Sequence, residues 1–87
     1  MQFDRFVREV DAAVRALGAD AGLDESRAGN ATWSVRDRHA DVALLAPLNV
    51  SVALTGPGVP PATTWYPIHE NLVPVVSRRI AAYLSEA

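Results

Sequence analysis

His39 and His69 are the side chains best suited to act as a base or a metal ligand, and carboxylates stand near both. Asp37 and Asp41 flank the first, and Glu70 follows the second. A His/carboxylate metal centre requires such groups to converge on one ion. The spacing does not impose that: His39-Ala40-Asp41 spans an expected turn, and His69 lies in a distant segment. There is no Cys, which excludes disulfides and thiolate sites. No HExxH pair occupies one helix turn. No metal site is therefore assigned; turn polarity and the helix dipole account for these residues.

Nucleophilic catalysis needs a Ser or Thr beside a base that an acid orients. Ser34, Ser51 and Ser77 are present, but none has a nucleophile-elbow context. Gly56-Pro57-Gly58 looks like a fragment of a phosphate-binding loop. Pro57, however, removes an N–H donor that such a cradle uses, and no Gly-Lys-Ser/Thr follows. No catalytic residue and no cofactor are expected, and the chain reads as non-enzymatic.

Charge points the same way. The formal net charge is −2, and acids are interspersed around Arg36, Arg38 and the Arg78-Arg79 pair. No basic stripe forms, so neither nucleic acid nor an anionic membrane is an expected partner. No apolar run reaches membrane-spanning length. The first residues, MQFDRFVREV, carry acids where a secretory leader would be apolar. A cytoplasmic protein is expected. All eight cations are Arg, which fits a GC-rich bacterial or phage genome as well as any chemistry.

The elements that would position these groups follow from periodicity. Residues 1–87 form one expected domain, of which 49% are hydrophobic and 21% charged, an ordinary globular balance. Phe3, Phe6, Val7, Val10, Val14 and Leu17 recur at helical steps, and Gly18 follows where a left-handed residue ends a helix. Residues 19–30 read as a connector with one helical turn at Asp24–Arg27. Alternation predicts strands over 31–36, 41–46 and 47–56, with Pro47 opening the third. Trp33, Val42, Leu44, Leu48, Val50, Val52 and Leu54 are expected to face the core.

Residues 56–70, GPGVPPATTWYPIHE, read as a stiff, extended, proline-rich loop. A helix follows over about 71–85. Asn71 serves as its N-cap, which leaves Pro74 among the first residues, where a missing N–H does little harm. The predicted fold is α+β: a two-layer sandwich of αβββα order, with a three-stranded antiparallel meander and both helices on one face.

That arrangement leaves the reverse side of the sheet bare. In this register it carries Thr32, Ser34 and Arg36, then Ala43 and Leu45, then Asn49, Ser51, Ala53 and Thr55. Nine positions with one charge are few for a water-facing surface. An apolar centre with a hydroxyl rim suits contact with another protein. The partner would be a second copy, making a homo-oligomer, or a larger protein that this small adaptor, inhibitor or assembly component docks on. Trp65 and Tyr66 in the loop are candidate anchors for the same contact; Trp65 is expected to tuck over the small core and Tyr66 to be the more exposed. The alternative is a small ligand-binding or catalytic subunit with its site beneath the 56–70 loop, built from His69, Glu70 and Tyr66, with His39 nearby.

Overall fold

The structure is a computed structural model that describes residues 2–45, 48–69 and 71–86. It is α+β: two helices and a five-stranded antiparallel sheet. In chain order the elements are α1 (Phe3–Ala16), β1 (Gly22–Asp24), β2 (Asn30–Val35), β3 (Arg38–Leu45), β4 (Asn49–Gly56), β5 (Val59–Pro67) and α2 (Leu72–Ser85). Each strand pairs with the next, so the sheet is a plain meander. The expected three strands are the middle of this sheet. The connector contributed β1, so Asp24 ends a strand and the helical turn expected at Asp24–Arg27 does not form, and the expected loop contributed β5.

α1 buries Phe6, Val7, Val10 and Val14 of the predicted stripe; Phe3 is only partly buried, and Leu17, just past the helix, is 51% exposed. Gly18 adopts φ 93°. Its N–H donates to the Arg15 carbonyl, and the Ala19 N–H donates to that of Val14. Those two bonds make a Schellman stop, which needs the left-handed backbone that glycine allows. Asp11, one turn after buried Val7, borders this stripe, and its carboxylate accepts a 2.9 Å hydrogen bond from Nε1 of Trp33 on β2. Trp33 is fully buried, and this bond satisfies the one polar atom of its indole.

α2 packs against α1 and against β2, β3 and β4. It buries Val76, Ser77, Ile80, Ala81 and Leu84. Ser77 donates its hydroxyl hydrogen to the Val73 carbonyl one turn back, so a buried hydroxyl is satisfied inside its own helix. Asn71 precedes the helix but makes no side-chain capping bond. His69 intervenes instead: its Nδ1 accepts the Asn71 N–H at 3.1 Å, and its carbonyl accepts the Leu72 N–H. Pro74, the third helical residue, forfeits no intrahelical bond.

Side chains of one parity meet the helices. Trp33 reaches α1, Arg38 lies 4.7 Å over the Tyr83 ring of α2, and Thr64 and Tyr66 of β5 accept from Arg79. On the same parity Ala31, Ala40, Val42, Val50, Val52 and Leu54 are buried. Two expected core residues are not. Leu44 is 43% exposed and Leu48 64%. Leu44 lies where β2 has already ended; its N–H donates to Gly29, which has no side chain to pack beside it. Leu48 precedes β4 in a turn. Ala46 and Pro47, expected to end one strand and open the next, lie outside the described residues.

The proline-rich segment is a strand because of where it sits. Pro57-Gly58 forms the two-residue turn between β4 and β5, with Gly58 at φ 70°. Pro then Gly with positive φ is the type II pattern. Between the pairs Leu54↔Ala62 and Gly56↔Val59, Pro60 and Pro61 stand opposite Thr55 alone, which is a β-bulge. Beyond it, Ile68 donates its N–H inward to Leu48. Antiparallel alternation then turns Tyr66, Thr64 and Ala62 inward and leaves Pro67, Trp65 and Thr63 facing outward. Prolines are tolerated here because β5 is an edge and because two of them occupy a bulge.

Gly56 is required by close approach. A Cβ there would lie 2.9 Å from Tyr83 Oη and 3.2 Å from Arg38 Cγ. Tyr83 is held beneath Arg38, which also donates to the Tyr83 carbonyl and to Glu86, both at 3.0 Å. Gly56→Ala is expected to lower stability by about 1–2 kcal/mol through this overpacking, measured as a fall in the urea midpoint at unchanged slope. An unchanged midpoint would refute the account.

Candidate docking surface

The strand pairings place side chains of the other parity in rows across the sheet. One row runs Asn30, Ala43, Ser51, Trp65 from β2 to β5. The next runs Asp24, Thr32, Asp41, Ala53, Thr63 from β1 to β5. A third holds Gly22, Ser34, His39 and Thr55, and a fourth Leu45, Asn49 and Pro67. Thr32, Ser34, Ala43, Leu45, Asn49, Ser51, Ala53 and Thr55 are all partly exposed. Eight of the nine strand positions expected on this side thus share one face.

Arg36 is the exception. It lies in the two-residue turn between β2 and β3, with φ 53°, and points away from any strand register. The turn falls at Arg36-Asp37 rather than at 37–40, because β3 begins at Arg38. The shift brings His39 into the sheet and sets Asp41 in mid-strand, so the face carries a carboxylate and an imidazole. β1 adds Asp24, a position invisible while residues 22–24 read as connector.

Trp65 and Tyr66 exchange their expected roles. Trp65 is 73% exposed on this face. Tyr66 packs against the core on the helix side and accepts at 3.0 Å from Arg79. Pairing with β4 decides this, since Trp65 opposes outward Ser51 and Tyr66 opposes buried Val50. Read as a loop, the segment had no parity to apply.

The polar residues of the face bond across strands. Thr32 donates its hydroxyl hydrogen to Asp41, and the Asn30 side-chain amide lies 3.3 Å from the same hydroxyl. Ser34 Oγ and His39 Nδ1 are 2.7 Å apart. Among the described residues no carboxylate bonds the other nitrogen of His39, so nothing orients it as the base of a catalytic triad. Beside these pairs lies an open hollow of about 520 Å³, lined by Asp24, Ser26, Arg27, Asn30, Thr32 and Asp41. The Ser26 backbone N–H donates to Asp24 at 2.8 Å, which, with the Ser26 hydroxyl and nearby Arg27, holds that carboxyl below the usual range.

Of the grouping proposed beneath residues 56–70, His39 and His69 do not come together. Residues 59–67 are strand. His39 pairs with Thr55, whereas His69 follows Ile68, which bonds Leu48 at the opposite end of β4. Seven residues of strand, about 23 Å, separate those ends. Tyr66 is engaged with Arg79, and Glu70 lies outside the described residues. No group of three His, Cys, Asp or Glu gathers among the described residues, and no helix among them is long and apolar enough to cross a membrane. No protein-family model, curated protein or solved structure proved similar to this chain.

Proposed function

We propose that this chain is a non-enzymatic docking module, a small cytoplasmic adaptor, inhibitor or assembly component, that binds protein through the reverse face of its sheet. The observation that carries the reading is Trp65, which stands 73% exposed at the end of a row whose inner members are Ala43 and Ser51. Small residues let a second layer approach closely. A large aromatic at the margin supplies the anchor that dominates contact energy. Thr32, Ser34, Asn49 and Thr55 add hydroxyl and amide groups able to bond a partner, and the Asp41 carboxylate among them keeps its bond from Thr32.

The test compares capture by the immobilised wild type with capture by Ser51→Glu, Leu45→Arg and, as a control on α1, Arg8→Glu. The two face variants place a charge in the contact and are expected to weaken binding of any captured protein by about 100-fold. The control, exposed on the opposite layer, is expected to bind as the wild type does. Retention by the face variants, with their thermal unfolding unchanged, would overturn the reading.

A further inference from the structure

We infer that the occupant of this face is a second copy of the chain, joined by a two-fold axis that runs parallel to the strands between β3 and β4. The inference rests on the docking reading and names its partner.

A protrusion and a hollow share one face and one row. Trp65 projects from β5, and Asn30, in the same row, forms part of the hollow on β2. Three strand spacings separate them, about 14 Å. A rotation of 180° about an axis along the strands, midway between β3 and β4, carries β5 of one copy over β2 of the other and preserves position along the strands. Trp65 of each copy is thereby set into the hollow of the other, a self-complementary contact that closes at two. The other in-plane two-fold, across the strands, puts hollow over hollow and leaves both unfilled.

The same rotation fixes which side chains meet at the centre. Ala43 comes over Ser51 of the second copy, so the smallest side chains lie at the axis. Asp41 comes over Ala53, and His39 over Thr55. Each Asp41 thus faces Ala53 rather than the other Asp41, but the two carboxylates flank the axis, each held by the hydroxyl of its own Thr32. In the hollow the chemistry matches what arrives: Asp24 and Asp41 offer acceptors to the indole N–H, and Arg27 offers a guanidinium to the ring. Asp24 and Arg27 belong to β1 and the turn beyond it, so they flank the outer side of the incoming strand.

Area sets the expected strength. Four overlapping strands span about 19 Å by 24 Å, roughly 450 Å² in plan from each copy before side-chain relief is counted. The two faces together come to about 900 Å² in plan, below the roughly 1,200 Å² of stable specific interfaces, so the dimer is expected to be weak and concentration-dependent.

Sedimentation equilibrium from about 1 to 500 μM tests the proposal on the wild type, Trp65→Ala and Asn30→Trp. The wild type should pass from monomer to dimer. Each variant should weaken the dimer at least about 10-fold, although the two sites lie three strands apart within one chain. Trp65 emission gives a second measurement that does not depend on the Asn30 variant: it should shift to shorter wavelength as the wild type dimerises, and Trp65→Ala should lack the shift. A dimer weakened by Trp65→Ala but not by a folded Asn30→Trp overturns the arrangement. A wild type monomeric throughout overturns the second copy as occupant; if capture nonetheless depends on Ser51, the docking reading survives, and if capture is indifferent to Ser51, both fall.

Discussion

Trp33→Ala is expected to remove about 3–5 kcal/mol of stability. A chain of this length has roughly 5–10 kcal/mol in all, so the variant should be largely unfolded at moderate urea. Two losses combine. The indole is completely buried among residues of both helices and the sheet, and its removal leaves a cavity that short strands on either side cannot close. Asp11 also loses the donor that its carboxylate accepts from. It retains Arg15, 3.2 Å away, and lies near enough to the surface to rehydrate, so packing dominates. Trp33→Phe separates the terms: it restores most of the volume and should recover more than half of the loss. Equilibrium unfolding followed by far-ultraviolet circular dichroism measures both. Trp65→Ala supplies the contrast, with a stability change within about 1 kcal/mol, because its ring has little packing to lose. If the two alanine variants lost similar stability, the assignment of these tryptophans to opposite sides of the sheet would fail.

Ile80→Ala is expected to lose about 2–5 kcal/mol. Ile80 is buried in the middle of α2, which packs against α1 and the three central strands at once. A void there loosens every layer contact rather than one edge. The neighbouring positions sharpen the test. Ala82, one helical turn from Arg78 on the outer side, is exposed, so Ala82→Ser should change stability by less than about 0.5 kcal/mol. Combining Ile80→Ala with Trp33→Ala should give less than the sum of the two losses, since both empty one core. Thermal unfolding midpoints measure all three. Equal effects at positions 80 and 82 would contradict the orientation of the helix.

Much of this arrangement was legible in the residues. Three- and four-residue spacing located α1, Gly18 marked its end, and the capping logic that tolerates Pro74 located α2. Alternation in 31–35 and 49–55 identified the two sides of β2 and β4. What escaped was structure decided by pairing rather than by local preference. VPPATTWYP carries the marks of a loop, yet a bulge and an edge position make its prolines harmless. GLD is too short and polar to show a period, and it becomes β1 only because Leu23 lies beside Trp33. The bond from Trp33 to Asp11 was not legible either, because nothing in the helical turn around Asp11 announces an indole from a strand far along the chain. The outward face of the sheet was visible in outline, since β4 shows both parities cleanly. Trp65, a candidate for the contact from the start, was expected to tuck over the core because the segment holding it was not recognised as strand.

The backbone of β5 bears on how any assembly must stop. Pro67 offers no donor, the bulge distorts the ladder at Pro60-Pro61, and only Thr63 and Trp65 hold amides that point outward beyond Ala62. At the other margin β1 offers three residues. Neither border is a usable template for a further strand, so ribbon-like polymerisation through successive borders is closed off. Crowding this protein should yield particles of fixed stoichiometry and no fibres.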